Sequence, residues 1–111
     1  MNETLQTILT RRSVRSFQTD KAIGREDLQQ IVECARMAPS ARNEQQWMFT
    51  VVTDQQKIQA LAKAVGNALG TASYDFYKPN ALILCSAKRD FRFKLQDCAC
   101  AMENIFLGRT A

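Results

Sequence analysis

Residues 38–47 read Ala38-Pro39-Ser40-Ala41-Arg42-Asn43-Glu44-Gln45-Gln46-Trp47, and they join a helical pattern to a strand pattern. Upstream, Leu28, Ile31, Val32 and Ala35 fall on one face of a helix. Glu26 and Asp27 suit its first turn, where the helix dipole favours negative charge. Pro39 disfavours helical geometry at Ala38, so the helix should stop there. The stretch from Ala38 to Gln46 has no periodicity and reads as a loop. Trp47 to Thr53 is aromatic and β-branched and reads as a strand, with Trp47 as a core anchor.

Working outward, Leu5, Ile8 and Leu9 give helical spacing between Glu3 and Thr10, and a polar turn rich in arginine follows. Asp54 can cap a third helix with Ile58, Leu61, Ala62 and Val65 inward and Gly66 at its end. Asn67 to Asn80 reads as a loop, Ala81 to Ser86 as a buried strand and Asp97 to Leu107 as a fourth helix. That helix carries Cys98, Ala99, Ala101, Met102, Ile105, Phe106 and Leu107, so it is apolar on several faces and should be buried on nearly all sides. Two strands and three other helices can hardly enclose it, which calls for cover from further polypeptide or a second subunit. The expected class is α+β, with helices around a small central sheet.

A length of 111 residues suits one domain. No apolar run approaches the ~20 residues that span a bilayer, and Met1 to Gln6 is polar, so the expectation is a cytoplasmic protein without membrane partners. The net charge of +4 fits a solvated basic surface, a phosphorylated small molecule or a nucleic acid. Cys34, Cys85, Cys98 and Cys100 lack Cys-x-x-Cys spacing, and the chain has no histidine. No metal site is expected, and the cysteines read as buried reduced thiols. Without histidine, a Ser-His-Asp or Cys-His nucleophile is excluded within the chain. Catalysis would use carboxylates, lysine, a partner chain or a cofactor with its own reactivity.

Two segments are candidate sites. Arg11, Arg12 and Arg15 crowd like charges into five residues beside the Ser13 hydroxyl. A phosphate would neutralise them through two-point arginine contacts. A solvated turn explains them equally well, and nucleic acid is a further possibility, although the basic residues do not continue as a stripe. After Pro39, the small and amide side chains of Ser40, Asn43 and Gln45 can hydrogen-bond a polar ligand, or form only a surface loop.

Taken in order, Arg11 to Phe17, Leu28 to Ala35, Ala38 to Trp47 and Val51 to Asp54 resemble the FMN-dependent nitroreductase family. Its members run through Arg-Arg-Ser-x-Arg-x-Phe, Leu-x-x-Ile-x-x-x-Ala, Ala-Pro-Ser-x-x-Asn-x-Gln-x-Trp and a strand ending Val-Thr-Asp. The Tyr74-Asp75-Phe76-Tyr77-Lys78-Pro79 segment and Asp97 to Asn104 look similar too. The resemblance implies FMN held at a homodimer interface, NAD(P)H as reductant and a nitroaromatic, quinone or similar small-molecule acceptor. It implies that Arg11, Arg12, Ser13 and Arg15 hold the phosphate, ribityl chain and ring edge. Pro39, Ser40 and Asn43 would reach the flavin from the other subunit, with Gln45 nearby and Asn67 at the pyrimidine edge. The flavin would carry the chemistry, so no catalytic side chain is assigned.

The family usually continues the fourth helix into a glycine-rich strand segment and a distal basic pair, which the 111 residues do not include. The expectation is therefore a partial nitroreductase-like FMN-binding domain over residues 1–111, shortened at its carboxy-terminal side. Such a chain would be a poor or inactive enzyme. The alternatives are a non-catalytic dimerising or weakly flavin-binding remnant, and a basic nucleic-acid-binding module.

Overall fold

The computed structural model describes residues 1–18 and 20–110, the side chain of Thr110 excepted. The elements are α1 (Glu3–Thr10), α2 (Arg25–Arg36), a short 3-10 turn (Ala41–Asn43), β1 (Trp47–Val52), α3 (Gln55–Leu69), β2 (Leu82–Ala87) and α4 (Lys94–Thr110). β1 and β2 pair in a two-stranded sheet. The chain divides into two compact units, one of Met1–Ser13, Gly24–Phe49 and Cys85–Ala111, the other of Val14–Ile23 and Thr50–Leu84. The observed class is α+β, as expected.

In the first unit, α1 begins where the Asn2 side chain accepts the Leu5 N–H at 2.9 Å, the usual asparagine N-cap. α2 buries Leu28 and Ala35 and ends at Arg36, with Met37 as its cap just ahead of Pro39. α4 packs along α2. The seam is made of small residues: Ala35, Ala38 and Ala101 form a buried cluster flanked by Trp47, Phe49 and Ile105. Trp47 thus serves as the anticipated anchor. Farther along the seam a Cβ on Gly108 would stand 3.0 Å from the Cys34 sulfur, so glycine permits the close approach there. Asn104 donates at 2.9 Å to the Cys34 carbonyl. That carbonyl lies in the last turn of α2 and also accepts the Met37 N–H at 3.3 Å.

α4 is buried on one side only within this chain. Asp97 and Ala101 are covered, whereas Leu95, Ala99, Cys100 and Met102 are exposed. α1 likewise leaves Leu5, Ile8 and Leu9 exposed. The expectation of buried thiols is corrected: all four cysteines are free, but Cys34 and Cys100 are exposed and Cys85 and Cys98 only half-buried. Cys100 projects from the uncovered side of α4, which periodicity alone could not identify on a helix apolar nearly all round.

In the second unit, Asp54 caps α3 as expected, accepting the Gln56 N–H at 2.9 Å. Ile58, Ala62 and Gly66 form the buried stripe. The helix does not end at Gly66; it continues to Leu69 and stops at Gly70, whose φ of 74° is left-handed. Thr71 N–H bonds Gly66 C=O at 2.8 Å and Gly70 N–H bonds Asn67 C=O at 3.3 Å, the double closure of a Schellman end. Asn67 is therefore in the last helical turn and not in a loop. Gly66 is glycine because the chain folds back over it: a Cβ there would meet the Thr71 carbonyl oxygen at 2.6 Å and the Tyr74 Cβ at 3.1 Å. Gly66→Ala should destabilise the protein, because overpacking costs about 1–3 kcal/mol and alanine's better helix propensity offsets at most about 1 kcal/mol. Urea unfolding checks this; a rise in midpoint would refute the close-packing argument.

Candidate functional site

The loop after α2 is folded tightly upon itself. Asn43 N–H donates to Ser40 C=O at 3.0 Å and Glu44 N–H to Ala41 C=O at 3.1 Å. Gln45 N–H donates to the Ser40 hydroxyl oxygen at 3.1 Å. Arg42, Asn43 and Gln45 adopt φ of 55°, 54° and 54°. Asparagine tolerates this left-handed region, but arginine and glutamine occupy it at a cost of order 1 kcal/mol each. Such strain persists only where surrounding contacts hold it.

The principal hold is Asp97. Its Oδ1 accepts the Ala41 N–H at 3.1 Å across a separation of 56 residues. Asp97 is 5% exposed, and its Oδ2 is buried with no hydrogen-bond partner among the described residues. The Ser40 oxygen is occupied as an acceptor, yet its hydroxyl proton remains able to donate. Pro39, Asn43 and Gln45 are exposed. The arrangement presents hydroxyl and amide groups on a backbone that one carboxylate fixes from α4. Replacing Asp97 by alanine should cost about 1–3 kcal/mol, since the Ala41 N–H would lose its partner. Asparagine keeps the acceptor and should retain most of that stability. Thermal unfolding of both variants is the check, and equal losses would show that the hydrogen bond is not what matters.

Sequence reasoning did not single out Asp97 for this role. The available signal was an acidic residue at the head of an otherwise apolar helix.

The arginine turn begins at the cap of α1, where Arg11 N–H bonds Thr7 C=O. Residues 11–18 then run without regular structure. The Arg11 Nε lies 3.7 Å from a Glu103 carboxylate oxygen, and its guanidinium stands 5.9 Å from the centre of the Phe106 ring. A partly exposed pair of this length contributes little stability, but it orients the guanidinium. Arg12 and Ser13 are exposed, and no hydrogen bond or ion pair engages their side chains among the described residues. Arg15 and Asn67 belong to the second unit and are exposed.

A groove of about 560 Å³ in the first unit is lined by residues of α1, α2 and α4, among them Ile8, Cys34, Met37 and Leu107. None of the candidate ligand-binding residues lines it. Its apolar walls suit apolar side chains and not a phosphate.

The nitroreductase family model matches residues 8–80. The chain belongs to the nitroreductase family. Every candidate residue from Arg11 to Asn67 falls inside the match, whereas Asp97 and α4 lie beyond it. A relative from Archaeoglobus fulgidus, provisionally named an NADH dehydrogenase/NAD(P)H nitroreductase, is 38% identical over 97% of this chain and 62% of its own. A nitroreductase with bound FMN from Bacteroides fragilis is 32% identical with a TM-score of 0.92, covering 99% of this chain and 65% of that one. A second FMN-bound nitroreductase, from Desulfitobacterium hafniense, is 30% identical with a TM-score of 0.82, again covering 99% and 65%. The structural likeness thus extends through α4, and the chain spans a little under two thirds of the length of these nitroreductases. Among the described residues no helix is long and apolar enough to cross a membrane.

Proposed function

We propose that residues 1–111 form part of an FMN-binding domain in a cytoplasmic, homodimeric oxidoreductase that passes reducing equivalents from NAD(P)H to nitroaromatic, quinone or similar small-molecule acceptors. The observation that carries this reading is the family match across residues 8–80, which contains all the candidate ligand residues. The donor set also fits the cofactor: Arg11, oriented by Glu103 and Phe106, and Arg12 and Ser13, without intramolecular partners among the described residues, suit a phosphate, and exposed amides suit a polar ring edge.

When bound, FMN supplies the hydride chemistry. The chain's own residues bind and orient. Arg11, Arg12 and Ser13 hold the phosphate and ribityl chain, and Arg15 places positive charge at the ring edge, where it favours the reduced anionic form. Pro39, Ser40 and Asn43 approach the flavin from the other subunit, with Gln45 beside them. Asn67, now a helical residue, offers its side chain to the pyrimidine edge. The exposed apolar residues of α1 and α4 in the single chain support pairing of subunits through these helices. They equally favour a second reading, in which this chain dimerises or binds flavin without turnover.

Purified protein should be titrated with FMN and assayed for NAD(P)H oxidation with a quinone or nitroaromatic acceptor, corrected for free flavin. Retained FMN with turnover supports the enzyme, retained FMN without turnover supports the second reading, and no flavin binding by a chain that is monomeric in solution overturns both.

A further inference from the structure

α4 fixes the chain that follows α2 at two points one helical turn apart. Ala101 packs with Ala35 and Ala38 in the buried cluster, and four residues earlier Asp97 accepts the Ala41 N–H at 3.1 Å. All of these residues belong to the first unit. Two energetic penalties gather at the second point. Asp97 Oδ2 is buried without a hydrogen-bond partner among the described residues, and a buried polar atom left so is unfavourable. Arg42 and Gln45, just beyond Ala41, hold left-handed φ, and such strain collects where a backbone is fixed for a ligand. What is held in place is outward-facing: Asn43 and Gln45 are exposed, and their side-chain amides make no hydrogen bond among the described residues. The other side of α4 carries exposed Leu95, Ala99, Cys100 and Met102, the surface assigned above to pairing of subunits.

We propose, on the basis of the shared flavin site described under the proposed function, that Asp97 is a positioning residue that acts across the dimer: by holding Ala41 it sets the loop of residues 39–45 for the flavin of the partner subunit. Asp97 itself touches neither flavin nor acceptor. Without its acceptor oxygen the Ala41 N–H must turn to water, Arg42 and Gln45 lose their hold and relax toward ordinary φ, and the loop spends only a fraction of its time in the binding form. Apparent affinity falls by that fraction, roughly tenfold for the loss of one such hydrogen bond. The loop is assigned no phosphate contact, so FMN and riboflavin should weaken by the same factor, unlike the outcome expected at the arginine turn.

The test titrates FMN and riboflavin into the parent chain, D97A and D97N, each at a temperature where circular dichroism shows it folded. The expected result is a loss of roughly tenfold for both flavins in D97A and near-parental affinity in D97N, which keeps the acceptor. Mixed dimers, isolated through two different affinity tags, then pair a D97A chain with a chain carrying R11A and S13A. If Asp97 acts across the dimer, each mixed dimer keeps one site of parental affinity, built from the arginine turn of the D97A chain and the loop of its partner. A D97A chain that was merely misfolded could not supply that turn, and action within one subunit would leave no parental site. Absence of such a site, a monomeric parent, or D97A that binds both flavins like a parent that retains FMN would overturn the role of Asp97. A parent that binds no flavin would overturn the flavin-binding reading and this role with it.

Discussion

Replacing Arg11 and Ser13 together by alanine is expected to weaken FMN binding by roughly 30- to 150-fold relative to riboflavin, which has no phosphate. A charge-assisted hydrogen bond contributes about 1.5–3 kcal/mol and a neutral one about 1. Partial solvent exposure puts the pair near 2–3 kcal/mol, at about 1.4 kcal/mol per decade of affinity. Arg11 suits the experiment because Glu103 and Phe106 already orient its guanidinium, so little side-chain freedom is lost when it takes a ligand. Parallel fluorescence titrations with the two flavins measure the difference. Equal losses would remove the phosphate from the role assigned to this turn.

Ile58→Ala should be the most damaging single truncation in the second unit. Ile58 is only 2% exposed, and it is the large member of a stripe otherwise made of Ala62 and Gly66. Cutting a buried isoleucine to alanine costs about 2–5 kcal/mol, and small neighbours leave little that can move in to fill the space. Leu69, on the same helix but 65% exposed, serves as control, where alanine should change stability by no more than about 0.5 kcal/mol. Denaturant unfolding reports both, and amide exchange along α3 locates the effect. A comparable small change in the two variants would mean that the stripe is not a core.

The elements were legible because each rests on neighbouring residues. Pro39 announces the end of α2, Asp54 the start of α3, and aromatic and β-branched residues the strand from Trp47. The misreading at Gly66 shows where that legibility stops. A glycine near the end of a helical pattern reads as a cap, and here the cap is Gly70. What demands glycine at residue 66 is the approach of Thr71 and Tyr74, a contact that no periodicity encodes. The cysteines failed likewise, because exposure on α4 depends on what lies against each side of it.

From the sequence by itself came the family and the class, and the residues proposed to bind a flavin, because spacing, caps and side-chain types are local properties. Only the tertiary structure decided that Asp97 reaches the Ala41 amide and that Arg11 rests between Glu103 and Phe106. Each of these joins residues that the chain keeps apart. Such pairs are selected by packing and burial, which exist only once the helices and strands lie together.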